Sequence, residues 1–234
     1  MAQIVEFAPV YSEADNPAYH FVNGTWNTHD QAESLAVSRG HSYLSPGDFV
    51  TLEEADTLLA AADALVLAPS VAGPSGMWQP TDGEEAGRIL GHRILDRISA
   101  DKPDLHIVLI SHFLVGHGAA HQNAKPNTWA LRSLEAHLRG GRNPYTILRP
   151  TWLSTIHDES YQTRLSQDPY ADGLVSRDSI ASAVLTAVEN PRVATGRTAA
   201  LFNLSIPGTG TTDLADRFGS LALDYEAEFA LQTA

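Results

Sequence analysis

The sequence predicts a single doubly wound α/β domain with a mostly parallel sheet, and three observations predict it. Short apolar runs, 64–68 (ALVLA) and 106–110 (HIVLI), have the composition of strands covered on both faces. Between such runs lie stretches whose apolar residues recur at helical spacing. The two patterns alternate along the chain, which implies parallel strands joined by helical crossovers.

Taken in order, residues 3–9 read as the first strand. Residues 51–62 (TLEEADTLLAAA) read as a helix with Leu52, Ala55, Leu58, Leu59 and Ala62 on one face, opened by Thr51 and Glu54 at capping-box spacing. Strand 64–68 follows. A long amphipathic helix from about Gly83 to Ser99 carries Ala86, Ile89, Leu90, Ile94 and Ile98 in register, and 101–104 (DKPD) ends it. After strand 106–110, a helix over about Asn127 to Arg139 buries Leu131, Leu134 and Leu138 and stops at Gly140-Gly141. Tyr145 to Arg149 is the next strand. Asp178 to Glu189 is a helix closed by Asn190-Pro191. Residues 199–205 (AALFNLS) read as a last strand and 211–230 as a C-terminal helix. One domain therefore spans 1–234, with about 150–234 forming a small segment on the substrate side.

Composition narrows the function classes. Hydrophobic residues are 43% of the chain and charged residues 18%, which suits a packed enzyme-sized domain rather than a disordered one. The absence of cysteine removes disulfides, thiolate metal sites and thiol nucleophiles. A net charge of -13 disfavours nucleic acid and anionic membranes as partners. No apolar run reaches membrane-spanning length and no signal peptide is visible at the N-terminus, so a cytoplasmic location is expected.

Ligands of doubly wound sheets sit outside the carboxyl ends of the strands, at the switch point. The segments after Pro9, Ala68, Ile110 and Arg149 are thus the places to inspect. Residues 111–121 (SHFLVGHGAAH) leave a central strand with one hydroxyl and three imidazoles. Histidine is the natural proton carrier near neutral pH. His112 or His117 is expected to move a proton and Ser111 to orient a substrate oxygen, with Phe113 in the pocket wall; ordinary loop polarity is the alternative. His117 and His121 have the i,i+4 spacing of metal ligands, but Gly116 and Gly118 disfavour a helix there and no carboxylate accompanies them, so no metal is expected. After strand 145–149, Thr151 and Trp152 are candidate pocket residues and His157, beside Asp158, a further acid or base. After strand 64–68, Ser70 and a flap bearing Met77 and Trp78 complete the expected pocket.

Three segments carry a family resemblance. Residues 45–70 (SPGDFVTLEEADTLLAAADALVLAPS), 133–153 (SLEAHLRGGRNPYTILRPTWL) and 175–190 (VSRDSIASAVLTAVEN) resemble, in order and spacing, atypical short-chain dehydrogenase/reductase proteins of the NAD(P)H-binding, NmrA-like group. The resemblance implies a Rossmann-like fold and a dinucleotide site. In that family the first strand enters a G-x-x-G-x-x-G turn whose glycines permit the tight turn, the approach of pyrophosphate and the packing of the helix. Here those positions are Ala8, Tyr11 and Ala14, a degenerate cofactor loop with Glu13 beside it. No Arg or Lys lies near 26–30, taken as the end of the second strand. The positions of the superfamily's Tyr and Lys fall on Asn127 and Leu131, while Ser111 sits at that of its serine. Arg149 and Asp178 match fixed family positions.

These departures favour a small-molecule enzyme that has lost ordinary dinucleotide use. It would need no cofactor and catalyse a non-redox acid/base step on a small organic substrate: cyclisation, isomerisation or dehydration. The alternatives are an NAD(P)H-dependent oxidoreductase, using NADP or NAD, and a non-catalytic ligand sensor.

Overall fold

The computed structural model describes residues 1–10, 20–23, 29–45, 49–69, 83–117, 126–154, 162–204 and 213–225. Its main sheet has seven strands. In chain order these are β1 (Gln3–Phe7), β4 (Ser42–Leu44), β6 (Ala64–Leu67), β7 (His106–Ile110), β8 (Tyr145–Pro150), β10 (Gln162–Ser166) and β12 (Arg197–Leu204). The spatial order is β10-β12-β8-β7-β6-β1-β4. Every pairing is parallel except β10 with β12, which is antiparallel. The doubly wound class holds, and the chain reverses its direction of winding between β1 and β6, which places the switch-point crevice at the carboxyl ends of those two strands.

Alternation along the strands explains why both faces are apolar. Val5, Phe7, Leu65, Leu67, Ile107, Leu109 and Ile147 point to one layer, formed by α2 (Leu52–Ala61), the helical run 83–101 and α6 (Pro126–Gly140). Ile4, Val66, Val108, Ile110, Leu148 and Leu201 point to the other, formed chiefly by α1 (His29–Ser38), α7 (Arg177–Glu189), α8 (Pro191–Ala194) and α9 (Leu214–Gly219). The run 83–101 is α3 (Gly83–Leu90), a π-helical turn (Gly91–Asp96) and α4 (Arg97–Asp101), continuous as the apolar periodicity predicts. Gly87 and Gly91 let it press against α6: a Cβ on Gly87 would lie 2.1 Å from the Ala130 carbonyl oxygen, and one on Gly91 2.6 Å from His137 Cγ.

Three sequence expectations need correction. The strand that pairs beside β1 is Ser42–Leu44, not a segment ending near Trp26; the three-residue strand was too short to read by periodicity. The C-terminal helix is broken: residues 224–225 are helical again after 220–223, and the first part is α9. Asp213 caps it by accepting from the Asp216 amide, and it ends at Gly219, so that the chain can turn and bring Asp224 to Thr198. Finally, β1 ends at Phe7. The chain continues as β2 (Pro9–Val10), which pairs antiparallel with β3 (His20–Asn23), and β3 pairs with β5 (Phe49–Thr51).

Candidate active site at the carboxyl edge of the sheet

Strand β7 hands its last residues to a loop that stays tied to β8. The Ser111 amide donates to Leu148 O (2.7 Å) and the Phe113 amide to Pro150 O (3.3 Å), after which α5 (Leu114–His117) makes one turn. This path gathers the candidate side chains. Phe113, fully buried, is ringed by His112 (centroids 4.8 Å apart), His117 (5.2 Å) and Trp152 (5.1 Å). Trp152 remains 41% exposed, and His112 also meets it edge to face at 5.9 Å. Tyr170, which the sequence reading did not single out, closes on His117 at 5.8 Å. Glycine at 116 allows this approach, because a Cβ there would stand 2.6 Å from Pro169 O. His112 Nδ1 accepts from the Leu114 amide (3.3 Å), which assigns the proton of the neutral ring to Nε2. Of the residues the sequence offered for this site, His112, Phe113, His117 and Trp152 meet, whereas Ser111 turns its hydroxyl toward Glu135. Thr151 is buried on the same loop, where its hydroxyl donates to Leu201 O (3.0 Å).

Below this cluster lies a buried ionic chain. Glu135, fully buried on α6, accepts from Arg149 Nε (3.0 Å) and Nη2 (2.6 Å) and from Arg139 (2.9 Å). Burial alone would raise its carboxyl, but Arg149 and Arg139 outweigh burial and hold it below the ordinary carboxylate value. Ser111 Oγ, also buried, lies near enough to assist, although it makes no hydrogen bond of good geometry. Arg149 on β8 is thus paired with the Glu135 carboxylate of α6. Leu131, at the position of the superfamily lysine, is fully buried in apolar surroundings and carries no proton.

The crevice at β1 is of a different kind. Ala8 is fully buried, and the backbone beyond it continues as a strand where the family has a glycine turn. The helix after β1 in the crossover to β4 is α1, and its first turn already faces a carboxylate of the chain. Buried Glu6 Oε2 bonds His29 Nδ1 (2.8 Å) and accepts from Tyr43 Oη (2.7 Å). Its Oε1 is buried with no hydrogen-bond partner among the described residues. Burial and Glu6 together push the Tyr43 hydroxyl well up, so it stays a donor. A fixed negative charge at a helix N-terminus opposes an anion there. The β1 edge thus departs from the family's ordinary pyrophosphate site at Ala8 and in the strand that follows it. The one signal for Glu6 was a charge in an otherwise apolar strand.

Tyr11, Ala14, Ser70, Met77, Trp78, His121 and His157 lie outside the described residues. A cavity of about 420 Å³ lined by Asp56, Leu59, Arg97, Ile98 and Lys102 lies at the amino edge of the sheet, opposite this cluster. Its cations are already engaged, Arg97 with Asp56 and Lys102 with the Leu59, Ala60 and Ala62 carbonyls. Among the described residues no helix is long and apolar enough to cross a membrane.

Comparison with known proteins agrees with this architecture. The family model described as NAD(P)H-binding matches residues 18–191, beginning beyond the altered β1 turn. No curated protein matches the sequence. Among solved structures, the oxidoreductase ylbE from Lactococcus lactis is similar at 12% identity and a TM-score of 0.65, covering 94% of this chain and 96% of that one. ChuY from Escherichia coli O157:H7, titled an anaerobillin reductase, is similar at 14% identity and 0.57, covering 89% and 100%. A short-chain dehydrogenase/reductase from Veillonella parvula in complex with NADP is similar at 11% identity and 0.51, covering 89% and 96%. At these identities the structures speak for the fold. With the family match over most of the chain, the protein belongs to the NAD(P)H-binding family.

Proposed function

We propose that the protein is an NAD(P)H-dependent oxidoreductase that reduces a polarised double bond of a small, flat organic substrate. The observation that carries this reading is the His112–Phe113–His117–Trp152 cluster at the carboxyl end of β7, beside Ser111, in a chain of this family. Trp152, partly exposed over the buried Phe113, offers an apolar wall to a planar substrate. His112, with its ring proton on Nε2, is placed to hydrogen-bond and stabilise the substrate atom that gains charge, which then takes its proton from solvent. Arg132, whose Nη2 donates to Val115 O (2.9 Å), ties the loop to α6. A dihydronicotinamide, when bound, would supply the hydride for the other atom of the double bond. This replaces the cofactor-free reading favoured by the altered glycine turn alone.

A second reading keeps support from one observation. The strand at Pro9–Val10 and the carboxylate of Glu6 at α1 suit a non-redox proton-transfer enzyme in which the old phosphate position is closed. Titration calorimetry with NADPH, NADP, NADH and NAD separates the two. Micromolar binding of a reduced dinucleotide, unchanged in His112→Ala while turnover falls about 100-fold or more, supports the reductase. No binding at millimolar dinucleotide sinks it and leaves the non-redox reading.

A further inference from the structure

At the amino edge of the sheet, away from the aromatic cluster, three metal-ligating side chains converge. His92 and Asp96 lie i,i+4 on the π-helical turn between α3 and α4, and His137 lies in the last turn of α6. Asp96 is shared: its Oδ2 stands 2.5 Å from His92 Nδ1 and its Oδ1 2.6 Å from His137 Nε2. The two rings meet edge to face at 4.9 Å, and the three ligand atoms all fall within 4.8 Å of one another. We propose that His92, Asp96 and His137 form a binding site for a divalent transition-metal ion of the zinc class, which ties the helical run 83–101 to α6.

Four features support the assignment. Two imidazole nitrogens and one carboxylate oxygen are the three-ligand set that zinc takes when water fills its fourth position. All three side chains are at least partly exposed, so that position opens to solvent. Tetrahedral coordination at roughly 2.0–2.1 Å needs the ligand atoms about 3.3 Å apart, a small opening for such side chains. The backbone also prepares the site. Glycine at 91 is what lets the His137 ring lie against the π turn, since a Cβ there would overlap Cγ and Nδ1 of that ring. Nitrogen-rich donors select zinc, nickel or copper over magnesium and calcium.

Equilibrium dialysis of untagged protein against Zn²⁺ tests the site, with thermal unfolding read in parallel and Mg²⁺ as the control. The expected result is an equivalent of Zn²⁺ that is weakened at least tenfold in each of Asp96→Asn, His137→Gln and His92→Gln, and a rise of Tm with Zn²⁺ that these variants lack. Mg²⁺ should do neither. Because the substitutions are near-isosteric and at the surface, the metal-free variants should keep the wild-type circular dichroism. Absence of Zn²⁺ binding by the wild type overturns the proposal. So does binding that survives in all three variants but is lost in His112→Ala or His117→Ala, which would place the ion at the other imidazole cluster.

Discussion

His106 opens β7 with its imidazole buried. Its Nε2 donates to Thr146 Oγ1 (3.0 Å), which in turn donates to Ala194 O, while Nδ1 has no partner among the described residues. Burial pushes this ring down to about 4. The unfolded chain takes up the proton near the ordinary value of about 6.5, whereas the folded chain resists until about 4. The contribution is therefore complete above about pH 6.5 and is lost as pH falls to about 4, by up to about 3 kcal/mol. Urea midpoints of wild type and His106→Asn measured from pH 7 to 4.5 should converge on acidification; parallel curves would refute the assignment. At this scale the sequence was partly legible. Ser111, His112 and His117 were visible because loop polarity after an apolar strand is a local signal. Tyr170, Glu6 and the sharing of Glu135 by two arginines were not, because each acquires its partners only through tertiary packing.

At the scale of elements, the closest contact in the outer layers is between the helical run 83–101 and α6. Gly87 makes it possible, because any Cβ there meets backbone rather than a side chain that can move. In an isolated helix Gly→Ala is favourable by up to about 1 kcal/mol. Here Gly87→Ala should instead destabilise by about 1–3 kcal/mol as the helices are forced apart, checked by chemical denaturation. A gain in stability would mean that the helices separate freely. The long helices and central strands were legible because ten or more residues of periodic pattern outweigh local noise. The two- to four-residue strands β2 to β5 were not, since such runs show no period. The change at β1 was half legible: the missing glycines were plain, but the antiparallel sheet that takes the place of the turn follows from pairings with residues 20–23 and 49–51.

For the whole molecule, the segment after α9 is tied back to the sheet, and Asp224 is its most connected residue. Asp224 accepts from the Thr198 amide (2.8 Å), Thr198 Oγ1 (2.7 Å), Tyr145 Oη (3.0 Å) and Arg139 Nε (3.2 Å). Through Arg139 it joins the Glu135–Arg149 pair, so one ionic chain runs from the amino edge of β12 to the loop under the candidate site. Asp224→Ala should cost about 2–4 kcal/mol, since it leaves several donors, one of them charged, without their acceptor. Urea unfolding measures this, and a loss below about 0.5 kcal/mol would show the tie to be ornamental. None of it was legible, because the partners are far apart in sequence.

Trp152 belongs to a ladder of its own. Strand β9 (Trp152–Ser154) pairs with β11 (Leu174–Ser176) in a two-stranded sheet that shares no rung with the seven-stranded one. Trp152, Leu153 and Leu174 stand at its surface. Two strands alone are marginal in water, whereas β6, β7 and β8 are bonded on both sides. The protein therefore has two clocks. Amides of the central strands exchange with deuterium only as fast as the whole fold opens, while those of the β9–β11 ribbon exchange through local breathing. Hydrogen–deuterium exchange should therefore find Trp152 amide protection lower than that of β7, and equal protection would show the ribbon to be as firmly held as the main sheet.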